Sequence, residues 1–265
     1  MSNMKKPTIL VTNDDGVFAP GIRKLIEIMR SYGRVVVVAP DKGQSGTSHA
    51  ITINTPLRLI KQKEEAGYVE YAANGTPVDC VKLGVKVALK EKPDLLVSGI
   101  NHGSNATINV IYSGTMAAVI EGCMSRIPSV GFSLDDYSQD ADFDPSEPFI
   151  RAIIDKVLDI GIPESTCLNV NIPAVSGGEI KGIRTCRQGV GYWDERFDHR
   201  KDPRKREYFW LTGEYVSLDE YQDTDEWALR NNYVAVVPVK FDLTSYETLE
   251  HFKKLDTDAK MVEKR

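Results

Sequence analysis

Asp14 and Asp15 stand side by side in the run Thr12-Asn13-Asp14-Asp15-Gly16, directly after the apolar triplet Ile9-Leu10-Val11. Two ionised carboxylates this close repel each other, and a cation is the natural remedy. An oxygen-rich setting suits hard divalent ions such as Mg²⁺ or Mn²⁺. Ser45 and Asn101 offer neutral oxygens to complete such a set. A plainer reading stays open, in which Asp-Asp-Gly is turn chemistry and one Asp caps the next helix.

Other polar segments favour the metal reading by their company. Gly43-Gln44-Ser45-Gly46-Thr47-Ser48 is a flexible, donor-rich loop of the kind that wraps phosphate with backbone N–H groups. Ser113-Gly114-Thr115 precedes Ala117 and Ala118, and a helix N-terminus with hydroxyls is a ready anion site; the same Ser or Thr also serves as a plain N-cap. Ser98 to Asn105 is a third Gly-containing polar stretch. No Gly-Lys-Ser/Thr of a Walker A loop occurs, and the first strand lacks the G-x-G-x-x-G of dinucleotide binding. His49 and His102 are candidates for proton transfer, with solvated or structural roles as the alternative, while His199 and His251 lie in charged stretches and receive no role. Asn74-Gly75-Thr76-Pro77-Val78-Asp79 reads as a turn capping a helix, and the run Arg200 to Arg206 as a solvated face.

The elements that must position these residues alternate strand and helix. Ile9 to Val11, Val35 to Ala39, Leu95 to Val97, Ser129 to Phe132 and Cys167 to Ile172 are short unalternating apolar runs, as buried parallel strands are. Between them, Ile22, Leu25, Ile26 and Met29 follow helical spacing, and helices are expected from Thr76-Pro77, over Met116 to Met124 and over Phe149 to Ile160. Ile51 to Ala73 suggests a hairpin or added edge strands. The alternation predicts an α/β, doubly wound, mostly parallel Rossmann-like sheet. Ligands of such sheets bind beyond the carboxyl ends of the strands, where the polar segments should meet.

After Ile180 the pattern changes. Gly182 to Tyr192 and Glu207 to Leu211 look like β segments joined by the charged run Asp194 to Arg206. Arg184 to Asn232 is read as a protruding arm, a C-terminal β-hairpin whose Trp193 and Tyr208-Phe209-Trp210 call for cover by another subunit. Val234 to Val239 returns as a strand, Tyr246 to Phe252 as a short amphipathic helix, and Lys253 to Arg265 as a mobile tail. Residues 1–265 thus form a single domain with one arm.

Composition narrows the classes. A formal net charge of -5 gives no basic face, so a nucleic-acid polymer is a poor partner. No apolar run approaches a membrane span, and the N-terminus is too short in apolar residues for a signal-peptide core. Cys80, Cys123, Cys167 and Cys186 are widely spaced and read as buried thiols of a cytoplasmic protein.

The assembled motifs resemble the SurE family of 5'/3'-nucleotidases. They are Thr12-Asn13-Asp14-Asp15-Gly16, Ala19-Pro20-Gly21-Ile22, Ala39-Pro40 with Gln44-Ser45-Gly46, and Asn74-Gly75-Thr76-Pro77 with Asp79-Cys80-Val81. Ser98-Gly99-Ile100-Asn101 with Gly103 and Asn105, Tyr112-Ser113-Gly114-Thr115 and Asn169-Val170-Asn171-Ile172-Pro173 complete them, in order and at family-like spacing from about Ile9 to Val239. The resemblance implies one divalent cation, Mg²⁺ or Mn²⁺, on Asp14, Asp15, Ser45 and Asn101. It implies hydrolysis of nucleoside 5'- and 3'-monophosphates, with short polyphosphate as a further substrate in some members. It also implies a homodimer or homotetramer assembled through the arm. On this reading Asp14, Asp15 and Asn101 carry the catalysis, and Asn13, Gly46, Asn105, Ser113, Gly114 and Thr115 hold the substrate's phosphate. Water attack and attack by Asp14 itself, through an aspartyl-phosphate, both remain open. One departure bears on the loop's shape and on substrate choice: where many members carry a Gly and two acidic residues, this chain has Thr107, Ile108 and Asn109.

Two readings from other classes compete. A receiver-like signalling module also places an acidic pair at a strand end and binds Mg²⁺, but is about half this length and carries an Asp at a later strand end, where Ser98-Gly99 stand here. A Mg-binding nucleotide sensor without turnover is the other.

Overall fold

The computed structural model describes residues 6–175 and 177–257. Its strands are β1 (Thr8–Thr12), β2 (Arg34–Pro40), β3 (Leu59–Glu65), β4 (Tyr68–Ala73), β5 (Leu95–His102), β6 (Ser129–Leu134), β7 (Cys167–Ile172), β8 (Gly182–Thr185), β9 (Gly191–Lys201), β10 (Glu207–Ser217) and β11 (Tyr233–Val239). Its α-helices are α1 (Pro20–Arg30), α2 (Pro77–Leu83), α3 (Asn109–Tyr112), α4 (Gly114–Met124), α5 (Glu147–Ile160), α6 (Asp225–Arg230) and α7 (Leu249–Phe252). The helix expected from Thr76-Pro77 continues past α2 as a π-helical turn, Gly84–Leu89.

Nine strands form one sheet in the order β3-β4-β2-β1-β5-β6-β7-β11-β8. The six from β4 to β7 are parallel throughout. Counted in sequence they run third, second, first, fourth, fifth, sixth, the strand order of a doubly wound dinucleotide-type fold. Its direction of winding reverses between β1 and β5, where Thr12 lies opposite Ser98. β3 and β11 are antiparallel additions at the two sides.

Alternate residues of each central strand feed two cores. Ile9 and Val11 pack with Ile22, Leu25 and Met29 of α1 and with Ile150 and Ile154 of α5. Leu10 packs on the opposite face with Cys80 and Val81 of α2 and with Met116, Val119 and Cys123 of α4. Burial on both faces is why these strands read as unbroken apolar runs. Helix α1 approaches the sheet so closely that a Cβ at Gly21 would lie 2.0 Å from the Ile100 carbonyl oxygen, and only glycine fits there.

The end of the chain corrects two expectations. The charged run Asp194 to Arg206 is not a linker: most of it is β9, paired antiparallel with β10 from Gly191↔Ser217 to Lys201↔Glu207. The hairpin also occupies only the middle of the stretch Arg184 to Asn232. Its flanks β8 and α6 pack on β11, with Ala228 and Leu229 beside Ala235 and Val237. Of Ile51 to Ala73, only Leu59 onward is strand. Lys253–Leu255 is a 3-10 turn, and the rest of the tail expected to be mobile, from 258 on, lies outside the described residues. Among the described residues no helix is long and apolar enough to cross a membrane.

Candidate active site at the switch point

Strand β1 ends in the turn that carries both carboxylates. Gly16 takes φ +104°, and the Asn13 side-chain amide donates to its carbonyl at 2.9 Å, closing the turn. Asp14 is only 4 % exposed. It accepts the Thr115 hydroxyl and faces the backbone N–H groups of Gly114 and Thr115. Burial raises its pKa, and these donors oppose the rise. Asp15, partly exposed, accepts the His102 backbone N–H at 3.2 Å. Burial, and then the charge of Asp14, push its pKa up to about 6. Among the described residues neither carboxylate has a Lys or Arg partner.

Strand β5 brings the second group. Its ladder with β6 slips between Ser98 and Asn101, where Gly99 at φ +123° passes the Phe132 carbonyl so closely that a Cβ would lie 2.2 Å from its oxygen. Asn101 follows the slip. Its amide donates to the Gly103 carbonyl at 2.7 Å, and its Oδ1 lies 3.3 Å from the Thr115 hydroxyl. One hydroxyl at the start of α4 therefore gathers an oxygen of Asp14 and an oxygen of Asn101. Ser113 caps that helix, its Oγ accepting from the Met116 N–H at 3.0 Å.

The loop after β2 folds over the same point. The Gln44 N–H donates to the Asp14 carbonyl at 2.7 Å, and the Ser48 N–H to the Tyr112 carbonyl at 3.3 Å. Between these two ties stand Ser45, exposed, and Gly46 at φ +71°. Asn105 is buried on the other side of Asn101. Its N–H donates to Asn171 Oδ1 at 2.7 Å, its side-chain amide to Ser133 Oγ at 2.8 Å, and its carbonyl accepts from Asn169 at 2.9 Å.

The segments that carry the expected residues thus come from three strand ends, those of β1, β2 and β5, and from the start of α4. Two refinements follow from the bonds. The first turn of α4, expected to face phosphate, directs its donors at Asp14. Asn13 spends its amide N–H on the Gly16 carbonyl, leaving a buried Oδ1 without a partner. The histidines separate: His49 sits 3.4 Å from buried Glu121, which Lys82 also holds at 2.6 Å. The ring of His102 faces the Ser138 carbonyl instead, and only its backbone reaches Asp15. Asn169, Asn171 and Ser133 received no role from the sequence. The period-2 spacing of the two asparagines on β7 was the available signal, since i and i+2 share a face.

A hard cation fits this setting. Thr12 Oγ1 and Asn13 Oδ1, at the end of β1, and Ser98 Oγ, on β5 opposite Thr12, are buried oxygens without partners among the described residues. Among the described residues no three His, Cys, Asp or Glu side chains converge, so a cation here would find two carboxylates and neutral oxygens, a donor set that suits a hard divalent ion. A depression of about 510 Å³, between Lys92, Arg126, Pro163 and Phe241, lies at the amino ends of β5 to β7, away from this chemistry.

The profile of the family described as Survival protein SurE matches residues 9–195. The 5'-nucleotidase SurE of Flavobacterium psychrophilum is 55% identical over 254 residues, covering 96% of this chain and 99% of that one. Its counterpart in Christiangramia forsetii is 56% identical, covering 95% and 96%. The crystal structure of the SurE protein from Aquifex aeolicus superposes with a TM-score of 0.82 at 42% identity, covering 95% of this chain and all of that one. The relatives and the solved fold agree over nearly the whole length and the profile over residues 9–195, and the chain belongs to the SurE family.

Proposed function

We propose that this chain is a metal-dependent phosphomonoesterase that hydrolyses nucleoside 5'- and 3'-monophosphates to nucleoside and phosphate. Relatives of matching length carry the name 5'-nucleotidase. The observation that carries the reading is an acidic pair at the switch point of the sheet, Asp14 buried and Asp15 partly exposed, without Lys or Arg partners among the described residues. Asp14, Asp15, Ser45 and Asn101 would hold one Mg²⁺ or Mn²⁺. Bound there, such an ion polarises a phosphoryl oxygen and offsets the charge of the pair.

The chain's own groups do the rest. Thr115 orients Asp14 and Asn101 together. The Gly46 N–H, Ser113 and Asn105 would hold the phosphate, and Asn105 is itself held by Asn169, Asn171 and Ser133. Fixed donors of this kind stabilise charge as it shifts to the phosphoryl oxygens. Asp14 is already engaged by Thr115 and the start of α4, which favours attack by water over attack by Asp14 Oδ1. The stereochemical outcome at phosphorus separates the two: one displacement by water inverts the centre, and two displacements through an aspartyl-phosphate retain it. Short polyphosphate presents the same terminal phosphate and is included as a secondary substrate.

The test is phosphate release from a panel of nucleoside monophosphates with Mn²⁺. Cleavage of several bases is expected, because the acidic end reads phosphate. Hydrolysis of a single base among the common monophosphates would contradict that. Absence of any release, with nucleotide still bound, would favour the non-catalytic sensor.

The same proposal extends to assembly. Phe197 pairs across the hairpin with Leu211, and Phe209 and Trp210 are also exposed, on an arm too thin to cover them itself. Burying such side chains contributes about 25 cal/mol per Å². We therefore expect a homodimer or homotetramer, and a monomer when residues 192–216 are replaced by a short turn. Light scattering at micromolar concentration checks both; a monomeric full-length chain contradicts it. The cytoplasm is the compartment assigned, in keeping with four free, buried cysteines.

A further inference from the structure

The turn that follows Asn101 forms the wall of a second, smaller cavity. Its volume is about 210 Å³, and Ser104, Asn109, Asp135, Tyr137, Trp193 and Tyr215 help line it. That is below the roughly 300–1,000 Å³ of a whole ligand site, and is sized for part of a ligand whose remainder lies elsewhere.

The walls are built rather than incidental. The Tyr137 ring closes on Gly103, where a Cβ would lie 2.4 Å away, and its hydroxyl accepts the Ser104 N–H at 3.2 Å. Across the cavity, the Trp193 indole N–H donates to Asn109 Oδ1 at 2.9 Å, and Tyr215 meets Trp193 edge-on at 6.1 Å. Thr107, at φ +56°, donates its N–H to buried Asp225 at 2.8 Å, and Asp225 takes the Gly189 N–H at the same distance. The segment where this chain departs from the family pattern, Thr107 to Asn109, is therefore what fastens the Asn105 turn to the root of the arm. Asp135 is half-buried at the end of β6. Burial and its neighbour Asp136 push its pKa up to about 6, and among the described residues no hydrogen-bond donor offsets the rise, so its oxygens can accept.

We propose that this cavity is the nucleoside half of the substrate site, with Trp193 stacking on the base and Asp135 accepting from ribose hydroxyls. The inference rests on the phosphatase reading, which places phosphate at the other end of the same turn. It explains how one acidic end serves several bases: an indole face stacks on any of them, while the sugar is read by a carboxylate.

The test compares AMP, ribose 5-phosphate and p-nitrophenyl phosphate on wild type, Trp193→Ala, Trp193→Phe, Asp135→Asn and Asp135→Ala. Trp193→Ala should lower the ratio of kcat/KM for AMP to that for ribose 5-phosphate about tenfold, chiefly through KM, and Trp193→Phe should restore most of it. Asp135→Ala should penalise AMP and ribose 5-phosphate alike, about tenfold relative to p-nitrophenyl phosphate, with Asp135→Asn intermediate. Adenosine binding by equilibrium dialysis needs no turnover and should weaken about tenfold in Trp193→Ala. Equal losses on all three substrates, meaning a merely disturbed loop, overturn the inference. So does AMP selectivity and adenosine binding unmoved by Trp193→Ala. Adenosine bound through Trp193 by a protein that releases no phosphate would instead sink the phosphatase reading and leave this one standing.

Discussion

Asp15→Asn is expected to cost about 10³-fold in turnover while the metal-free protein becomes more stable. The rate loss corresponds to about 4 kcal/mol of transition-state stabilisation, the scale of a lost charged ligand. The stability gain comes from the carboxyl's raised pKa. A folded-state value of about 6 against 3.8 when unfolded means that the native form holds its proton in a range where the unfolded chain has lost it. Native stability from this group is fully present below about pH 4 and is lost as pH rises through about 6. At pH 7 the ionised Asp15 costs the metal-free fold about 3 kcal/mol. Asparagine has the same shape and no charge, so it removes that cost. Thermal melts in EDTA should show Asp15→Asn above wild type by several degrees at pH 7.5, the gap closing toward pH 4. A variant that melts lower than wild type at pH 7.5 would mean that the carboxylate is held by protein partners and needs no cation. Asp14→Asn should lose activity to a similar extent.

Gly114→Ala should cut activity about 100-fold in a protein that still folds. A Cβ there would lie 2.7 Å from Asp14 Cβ and 2.9 Å from its Oδ2. Helix α4 has little room to retreat, since Gly122 sits against Ser129 and Leu96, and Gly131 against Met116. The strain is therefore relieved by turning Asp14, which breaks its bond to Thr115 and separates it from Asn101. A misplacement of about 1 Å at a reacting centre costs on the order of 10²-fold. Gly178→Ala, which meets open space, is the control. Wild-type activity in Gly114→Ala would show that the contact between α4 and Asp14 does not set the geometry.

Much of this was legible because the residues involved are local. The apolar runs of β1, β2, β5, β6 and β7 are buried on both faces, so they stand out by composition alone. The polar segments that follow them announce the carboxyl edge. What escaped was long-range or unburied. The strand β9 runs through Asp194 to Arg200 with both faces largely in solvent, so no alternation marks it, and a strand looks like a charged linker. The cradle of Asn105 joins Asn169, Asn171 and Ser133 from strands 28 to 66 residues away, and only the closed sheet brings them together. The partition of the histidines was equally hidden: Glu121, on α4, claims His49 from 72 residues away. Asn13 and the α4 turn showed their types but not which of their donors were already spent.

The central claim is that Asp14 and Asp15 act by holding a divalent cation. Its most direct test is a titration of Mn²⁺ into exhaustively chelated protein, following bound metal and AMP hydrolysis together. We expect one Mn²⁺ per chain, activity absent at the start and rising in proportion to occupancy, and neither in Asp14→Asn. Full hydrolysis of AMP in EDTA after thorough dialysis would contradict the account.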